Sequence, residues 1–382
     1  MPTASDDYLA LWWHGEVRRP EAELIAWARR QRLLPLLGWR ADRDGWHLPD
    51  ALTTAIRRSR LTVAASQALT NQQLRALGET AQSLSMPVVL VKGAAAAEAY
   101  PAPWMRPYGD IDLLVDEADA AALLIELRKR GYSDAKGIPG TRHEHLPPLQ
   151  HIGGGHWVEV HTSLAWIQDQ PLFNLRMWAD RLCPLSTYPG LAQPNSVDHT
   201  LYLIFHGIVQ HELERSVQVL ADLKFQTESW TCDDWRRLRT QAEETGMVHA
   251  VGLAMELAEW FWADRTPEGA ESGFPKAPRS LLAAAEHVIL DPTSNIPLPH
   301  IWRRSPLGSL RGLLPFARAL LLGDPAEIHV MGARQRLALC IQRPTYLIRN
   351  YGASLWQLLR GDPATRAAWR AQRDLQTWLR EA

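Results

Sequence analysis

Cysteine is scarce, with Cys183, Cys232 and Cys340 far apart and odd in number among 382 residues. That excludes a disulfide framework and any paired-cysteine metal site, and makes a reducing cytoplasm the expected setting. Net charge is equally scarce. The 41 Lys and Arg are answered by 42 Asp and Glu for a net charge of -1, which argues against a broad nucleic-acid footprint. Long apolar runs are missing too. The first residues, MPTASDDYLALWWHGE, carry acid where a signal peptide carries base, and the apolar segment 307–323 is broken by Arg311 and Arg318. No membrane span is expected. There is no internal repeat, no coiled-coil pattern, and no Walker A loop.

What is present suits a folded chain of two or three domains, with 46% apolar and 22% charged residues. The 17 tryptophans are scattered through helix-patterned stretches, which points to core packing or groove lining. Residues 5–82 repeat apolar positions every three or four residues, as helices do. From residue 86 to about 165 the pattern changes to short apolar runs around a helix: PVVLVKG, AAAAEAY, DIDLLV, EADAAALLIELRKRGY and HWVEVHTSL. Val88 to Val91 reads as a buried strand, Asp119 to Arg130 as an amphipathic helix stopped by Gly131, and 146–164 as two strands joined across Gly153 to Gly155. From Asn195 onward, helical periodicity returns over 197–213, 217–227, 248–263 and 326–341. The expected fold class is α+β, a small mixed sheet (85–190) between N-terminal helices (1–84) and a C-terminal helical domain (191–382).

The chemistry concentrates in the middle. In YGDIDLLV, strand alternation puts Asp110 and Asp112 on one face, with Ile111 and Leu113 on the other. Two like charges on an apolar strand repel and are costly to desolvate, and a divalent cation removes that cost. Oxygen donors suit Mg²⁺. Glu159, in WVEVH, sits in a second strand-like run, and adjacency of the two strands would bring three carboxylates together, enough for two metals. Upstream, VVLVKGAAAAEAY reads as a strand, a Lys92-Gly93 turn and a helix start, an arrangement that accepts phosphate.

These segments together resemble a bacterial nucleotidyltransferase family of the DNA-polymerase-beta-like superfamily, whose pattern runs as a strand into L-K-G, a helix, R-P-x-G-D-I-D-L-L-V and later V-E-x-H. The resemblance covers 86–165 strongly. It extends more weakly into IFHGIVQHELERSVQVLADLK, similar to the family's histidine-bearing and aspartate-bearing helices. It implies Asp110, Asp112 and Glu159 as ligands of two Mg²⁺ ions, and Lys92, Gly93, Arg106 and Gly109 beside the phosphates of an NTP, with ATP favoured. Two departures from the wider superfamily stand out. Lys92-Gly93 replaces G-S or G-G, and the third carboxylate is Glu in place of the commoner Asp.

His161 shares the strand face of Glu159, and is read either as a phosphate contact, as a partner holding Glu159, or as a satisfied polar residue. The other histidines nearby, His143, His145, His151 and His156, match no zinc spacing. On the acceptor side, His206 in LYLIFHGIVQ is either a core histidine or catalytic. Asp222 in VLADLKF is either an acceptor-side base or a structural partner of an arginine or His206, with structure favoured. His211 is expected to be solvated or ion-paired. The expected reaction moves a nucleoside monophosphate to a hydroxyl acceptor. Trp104, Trp157 and Trp166 near the motifs suit a sizeable one. A peptide is favoured, because the resembling family often occurs beside peptide natural-product genes, including those for lasso peptides. The rivals are a phosphotransferase, a toxin- or antitoxin-type enzyme acting on tRNA or protein, and a non-catalytic module. Basic clusters at Arg303 and Arg304, and at Arg236, Arg237 and Arg239, offer the tRNA reading its thin support.

Overall fold

The computed structural model describes residues 4–134, 146–167, 170–211, 213, 216–263, 273–290, 356 and 360–379. His143, His145, Arg303, Arg304, Cys340 and the helical segment expected at 326–341 lie outside them. The chain forms two compact units, Met1–Lys276 with Ala382, and Ala277–Glu381. In the second, α12 (Arg279–Leu290) packs against α13 (Pro363–Trp378).

Four helices lead: α1 (Ala4–His14), α2 (Glu21–Arg30), α3 (Leu34–Asp44) and the long α4 (Asp50–Leu84). The core begins at β1 (Val88–Val91), α5 (Lys92–Ala97), β2 (Asp110–Leu114), α6 (Glu117–Lys129) and β3 (Tyr132–Asp134). It continues through β4 (Leu149–His151), β5 (Trp157–His161), the β6 (Ala165–Ile167) and β7 (Gln170–Leu172) hairpin, α7 (Leu175–Trp178), β8 (Leu182–Pro184) and β9 (Leu191–Pro194). Helices α8 (Ser196–Ile204), α9 (Ser216–Thr227), α10 (Cys232–Glu244) and α11 (Val248–Trp262) follow, with a π-helical turn, Phe205–Gln210, continuing α8. The α+β architecture expected from the sequence is the one found.

The main sheet runs β3-β4-β5-β2-β1-β9-β8. Strand β1 is buried throughout, as a central strand covered on both faces should be. Strands β1 and β2 are antiparallel, while β2 and β5 are parallel. Alternation then sorts the side chains. Val88, Leu90, Ile111, Leu113, Val158 and Val160 form one core with Leu74, Leu77 and Ala81 of α4 and Ala120, Leu123 and Leu127 of α6. The three- and four-residue spacing on both helices presents one apolar stripe to the sheet. Burying each such leucine contributes about 1.5–3 kcal/mol, so an acid at Leu77 would break this layer. Gly131, at φ 90°, ends α6 and turns the chain into β3.

The opposite face of the sheet, carrying Asp110, Asp112, Glu159 and His161, looks onto the π-turn and α9, and the N-terminal helices close against α9 and α11. The Trp12 indole stacks on Phe261 at 4.6 Å and donates to its carbonyl at 2.9 Å, as does Trp13. Trp12, Trp27, Trp178, Trp235 and Trp262 are buried, which is the packing role expected for this residue type. No helix among the described residues is long and apolar enough to cross a membrane.

Candidate active site

Register explains why distant carboxylates meet. In the parallel β2–β5 pair, Asp112 lies directly opposite Glu159, and Asp110 opposite Trp157. His161 follows Glu159 by two residues and so keeps the same face. The nearest ligand atoms of Asp112, Glu159 and His161 all lie within 4.8 Å of one another. Asp110 lines the same cavity two residues earlier along β2.

Asp112 is buried and ionised. Burial alone would raise its pKa, but the Lys92 ammonium and the His161 imidazole outweigh that and hold the carboxyl well below the usual range. Lys92 Nζ and His161 Nε2 each donate to Asp112 Oδ1 at 2.8 Å. His161 Nε2 also lies 3.9 Å from Glu159 Oε2. Lys92 sits where the chain leaves β1 for α5, opposite this pair because Val91 pairs with Asp112. Burial disfavours its charge, yet Asp112 keeps the ammonium protonated far above neutrality. Lys92 adopts φ 52°, a left-handed backbone that a non-glycine residue takes only when the surroundings enforce it.

Two carboxylates and an imidazole at this spacing, with a third carboxylate beside them, fit a divalent cation. The oxygens suit Mg²⁺, and the imidazole nitrogen also suits softer ions such as Mn²⁺. The buried Asp112 charge requires a cationic partner in any state. Of the other histidines in this stretch, His151 and His156 are described, and each has its own local partners. His151 Nδ1 accepts from the Gly153 amide, while His156 bridges Ser66 and the Gly109 carbonyl.

The cavity encloses about 260 Å³. Lys92, Gly93, Arg106, Asp110, Asp112, Glu159 and His161 line it from the sheet side. His206, Gly207, Gln210, His211, Gln218 and Val219 line it from the π-turn and α9, and Arg32 lines it from the α2–α3 turn. Gly109 and Asp222 are not among the lining residues. Gly109 is exposed, and nothing lies within 4 Å of where its Cβ would be. Gly93 is required by packing, because a Cβ there would stand 2.6 Å from Tyr108 Cβ.

Arg106 and Asp222 form a buried fork. Arg106 Nε and Nη2 donate to Asp222 Oδ1 and Oδ2 at 2.5 and 2.7 Å, and the Tyr100 hydroxyl donates to Oδ1 at 2.7 Å. Arg106 Nη1 donates to the Gly93 carbonyl at 3.1 Å. The pair therefore ties α9 to the turn that carries Lys92. His206 Nδ1 donates to Gln210 Oε1 at 3.1 Å, and its ring lies 4.4 Å from that of His211. Burial, with Lys92 and His211 adding to it, pushes the His206 pKa well below its usual value. The ring is neutral, and its protonated Nδ1 leaves Nε2 as the hydrogen-bond acceptor.

Sequence reasoning missed several of these neighbours. Tyr202, fully buried on α8, faces the charges of Lys92, Asp112 and Glu159, and burial raises its hydroxyl pKa. Tyr108, Gln210 and Gln218 stand within the quoted segments but were given no role, Arg32 lies outside them, and Gln218 joins the site by donating to the Pro107 carbonyl at 2.7 Å. Neither Trp104 nor Trp157 lines the cavity, and Trp104 lies beneath the Arg60 guanidinium at 4.9 Å; the side chain of Trp166 is outside the described set. Arg236, Arg237 and Arg239 pair with Asp233, Asp234 and Glu243 on α10 itself, so they form no unbalanced basic patch.

No curated protein matches the chain. Residues 19–263 match a family described as uncharacterised nucleotidyltransferase, a span that takes in α2 to α4 as well as the sheet and helices up to α11. The chain belongs to that nucleotidyltransferase family and is an enzyme of the transferase class.

Proposed function

We propose that the protein transfers a nucleoside monophosphate from an NTP, ATP by preference, to a hydroxyl acceptor, using divalent cations held by Asp110, Asp112 and Glu159. The observation that carries this reading is the in-register pairing of Asp112 with Glu159 on parallel strands, with Asp110 on the same face of a cavity walled by helices. When bound, Mg²⁺ supplies positive charge to the phosphates and lowers the pKa of the acceptor hydroxyl. Lys92, paired with Asp112 in the structure, would add a point charge toward the phosphates, and Asp112 would be one of the carboxylates holding the cation. Its neighbour Gly93 admits the close approach of Tyr108 that shapes the turn, and Gly109 leaves open backbone just before Asp110. Arg106 acts as a positioning residue, holding the Gly93 carbonyl while Asp222 holds Arg106. His161 orients Asp112 through its Nε2 proton. On the other wall, neutral His206 has an unprotonated Nε2 that can accept a hydrogen bond from the acceptor hydroxyl.

The acceptor we favour is a hydroxyl on a peptide natural product such as a lasso peptide. The family resemblance is the support for that choice, and the cavity's mixed lining of imidazoles and amides is compatible with a polar acceptor. Mass spectrometry of peptides incubated with enzyme, Mg²⁺ and ATP or GTP tests it. A product heavier by one nucleoside monophosphate, with release of pyrophosphate, is expected. A product heavier by one phosphate, with release of nucleoside diphosphate, would overturn nucleotidyl transfer in favour of phosphoryl transfer at the same site.

A further inference from the structure

Asp110 and Trp157 open β2 and β5 as a register pair. One residue earlier on each strand stand Gly109 and His156. Gly109 is exposed and has open space where a Cβ would be. A glycine unrestrained by packing has the widest choice of backbone angles, so the carboxylate that follows it needs another restraint. A side chain supplies it, since His156 Nδ1 donates to the Gly109 carbonyl at 2.9 Å. The peptide group is planar, so holding that carbonyl also holds the Asp110 amide and limits the rotation that aims its side chain.

Helix α4 fixes the histidine in turn. Ser66 Oγ lies 3.0 Å from His156 Nε2. With the ring proton on Nδ1, Nε2 accepts and the Ser66 hydroxyl donates. The Gln73 carboxamide accepts from the His156 amide at 2.8 Å and donates to the His156 carbonyl at 3.0 Å. Gln73 is buried against Gly155, where a Cβ would collide with the carboxamide. His156 is not among the residues lining the cavity, so its influence on the site passes through Gly109.

We propose that His156 is a positioning residue for the metal site, aiming Asp110 through the Gly109 carbonyl, with α4 setting the histidine. The proposal rests on the metal assignment of the proposed function. Two conservative variants separate the two bonds of the ring. In His156→Asn the amide nitrogen takes the place of Nδ1 and keeps the bond to Gly109. In His156→Gln it reaches toward the place of Nε2 and keeps the bond to Ser66. Each variant loses one neutral hydrogen bond, so their Tm values should agree within about 3 °C. The probe is Mn²⁺ binding to the full chain, read from the electron paramagnetic resonance signal of the free ion and taken as the fraction that Mg²⁺ displaces. Affinity should stay within about twofold of wild type in His156→Asn, and weaken about tenfold in His156→Gln and His156→Leu, the low end for residues that orient metal ligands. Ser66→Ala, which leaves the Gly109 bond in place, should bind Mn²⁺ as the wild type does.

Equal Mn²⁺ affinity in His156→Asn and His156→Gln overturns the proposal and leaves His156 a structural latch. Affinities that simply follow Tm across the variants overturn it in the same way. Should His156→Leu fail to fold, the Asn and Gln pair still decides. Failure of the wild type to bind Mn²⁺, alone or with ATP, refutes the metal assignment itself, and this inference with it.

Discussion

Replacing Asp222 by Asn probes how the site is braced. The carboxylate is fully buried and accepts from Arg106 through both oxygens, with Tyr100 as a third donor. Asn keeps the shape and one acceptor but removes the charge, leaving a buried guanidinium whose remaining partner is the Gly93 carbonyl. Breaking a buried pair from one side costs about 3–5 kcal/mol, and the retained acceptor puts this variant near about 3 kcal/mol. In a unit of this size each kcal/mol lowers Tm by about 2–4 °C, so a fall of roughly 6–12 °C is expected by circular dichroism. Removing both charges together, in Arg106→Met with Asp222→Leu, should recover most of that loss, since apolar replacements of buried pairs are often neutral. Turnover should fall in both, because the Lys92-Gly93 turn loses its anchor. An Asp222→Asn protein with wild-type Tm and abolished turnover would refute the bracing role and make Asp222 an acceptor-side base.

Other consequences follow from burial and close packing. His199 is 2% exposed and its pKa is pushed down to about 4 by burial. The unfolded chain takes up its proton below about pH 6.5 while the folded chain does not, so stability present at neutral pH declines as pH falls from there to about 4. The lost contribution is about 3 kcal/mol; urea titrations at pH 7 and 4.5 should show it, and His199→Gln should flatten the slope. Gly207→Ala drives a Cβ into Val219 and pries the π-turn from α9. A cost of about 1–3 kcal/mol is expected, relieved in the double variant with Val219→Ala, and equal Tm values in single and double variants would contradict the packing argument.

Much of the sheet was readable from sequence because its signals are local. Val88 to Val91 is apolar and β-branched, DIDLL alternates, and Gly131 and Gly153 to Gly155 mark turns. The same alternation correctly separated the carboxylate face from Ile111 and Leu113. What sequence could not supply was long-range pairing. That Lys92 meets Asp112, that Arg106 meets Asp222 across 116 positions, and that Arg32 reaches the cavity all depend on how layers stack. Gly93 was read for phosphate approach, whereas its immediate neighbour is Tyr108. The π-turn at Phe205–Gln210 keeps an apolar pattern that ordinary helical periodicity also explains, so nothing in the string marked it.

The most direct test of the account is calorimetry of ATP and GTP binding, with and without Mg²⁺, to the wild type and to Asp112→Asn, with Tm recorded for both. The account predicts Mg²⁺-dependent binding of at least one nucleotide to the wild type and its loss in a variant that remains folded. Equal Mg²⁺-dependent binding by both proteins would contradict the assignment of the β2–β5 carboxylates as the metal and nucleotide site.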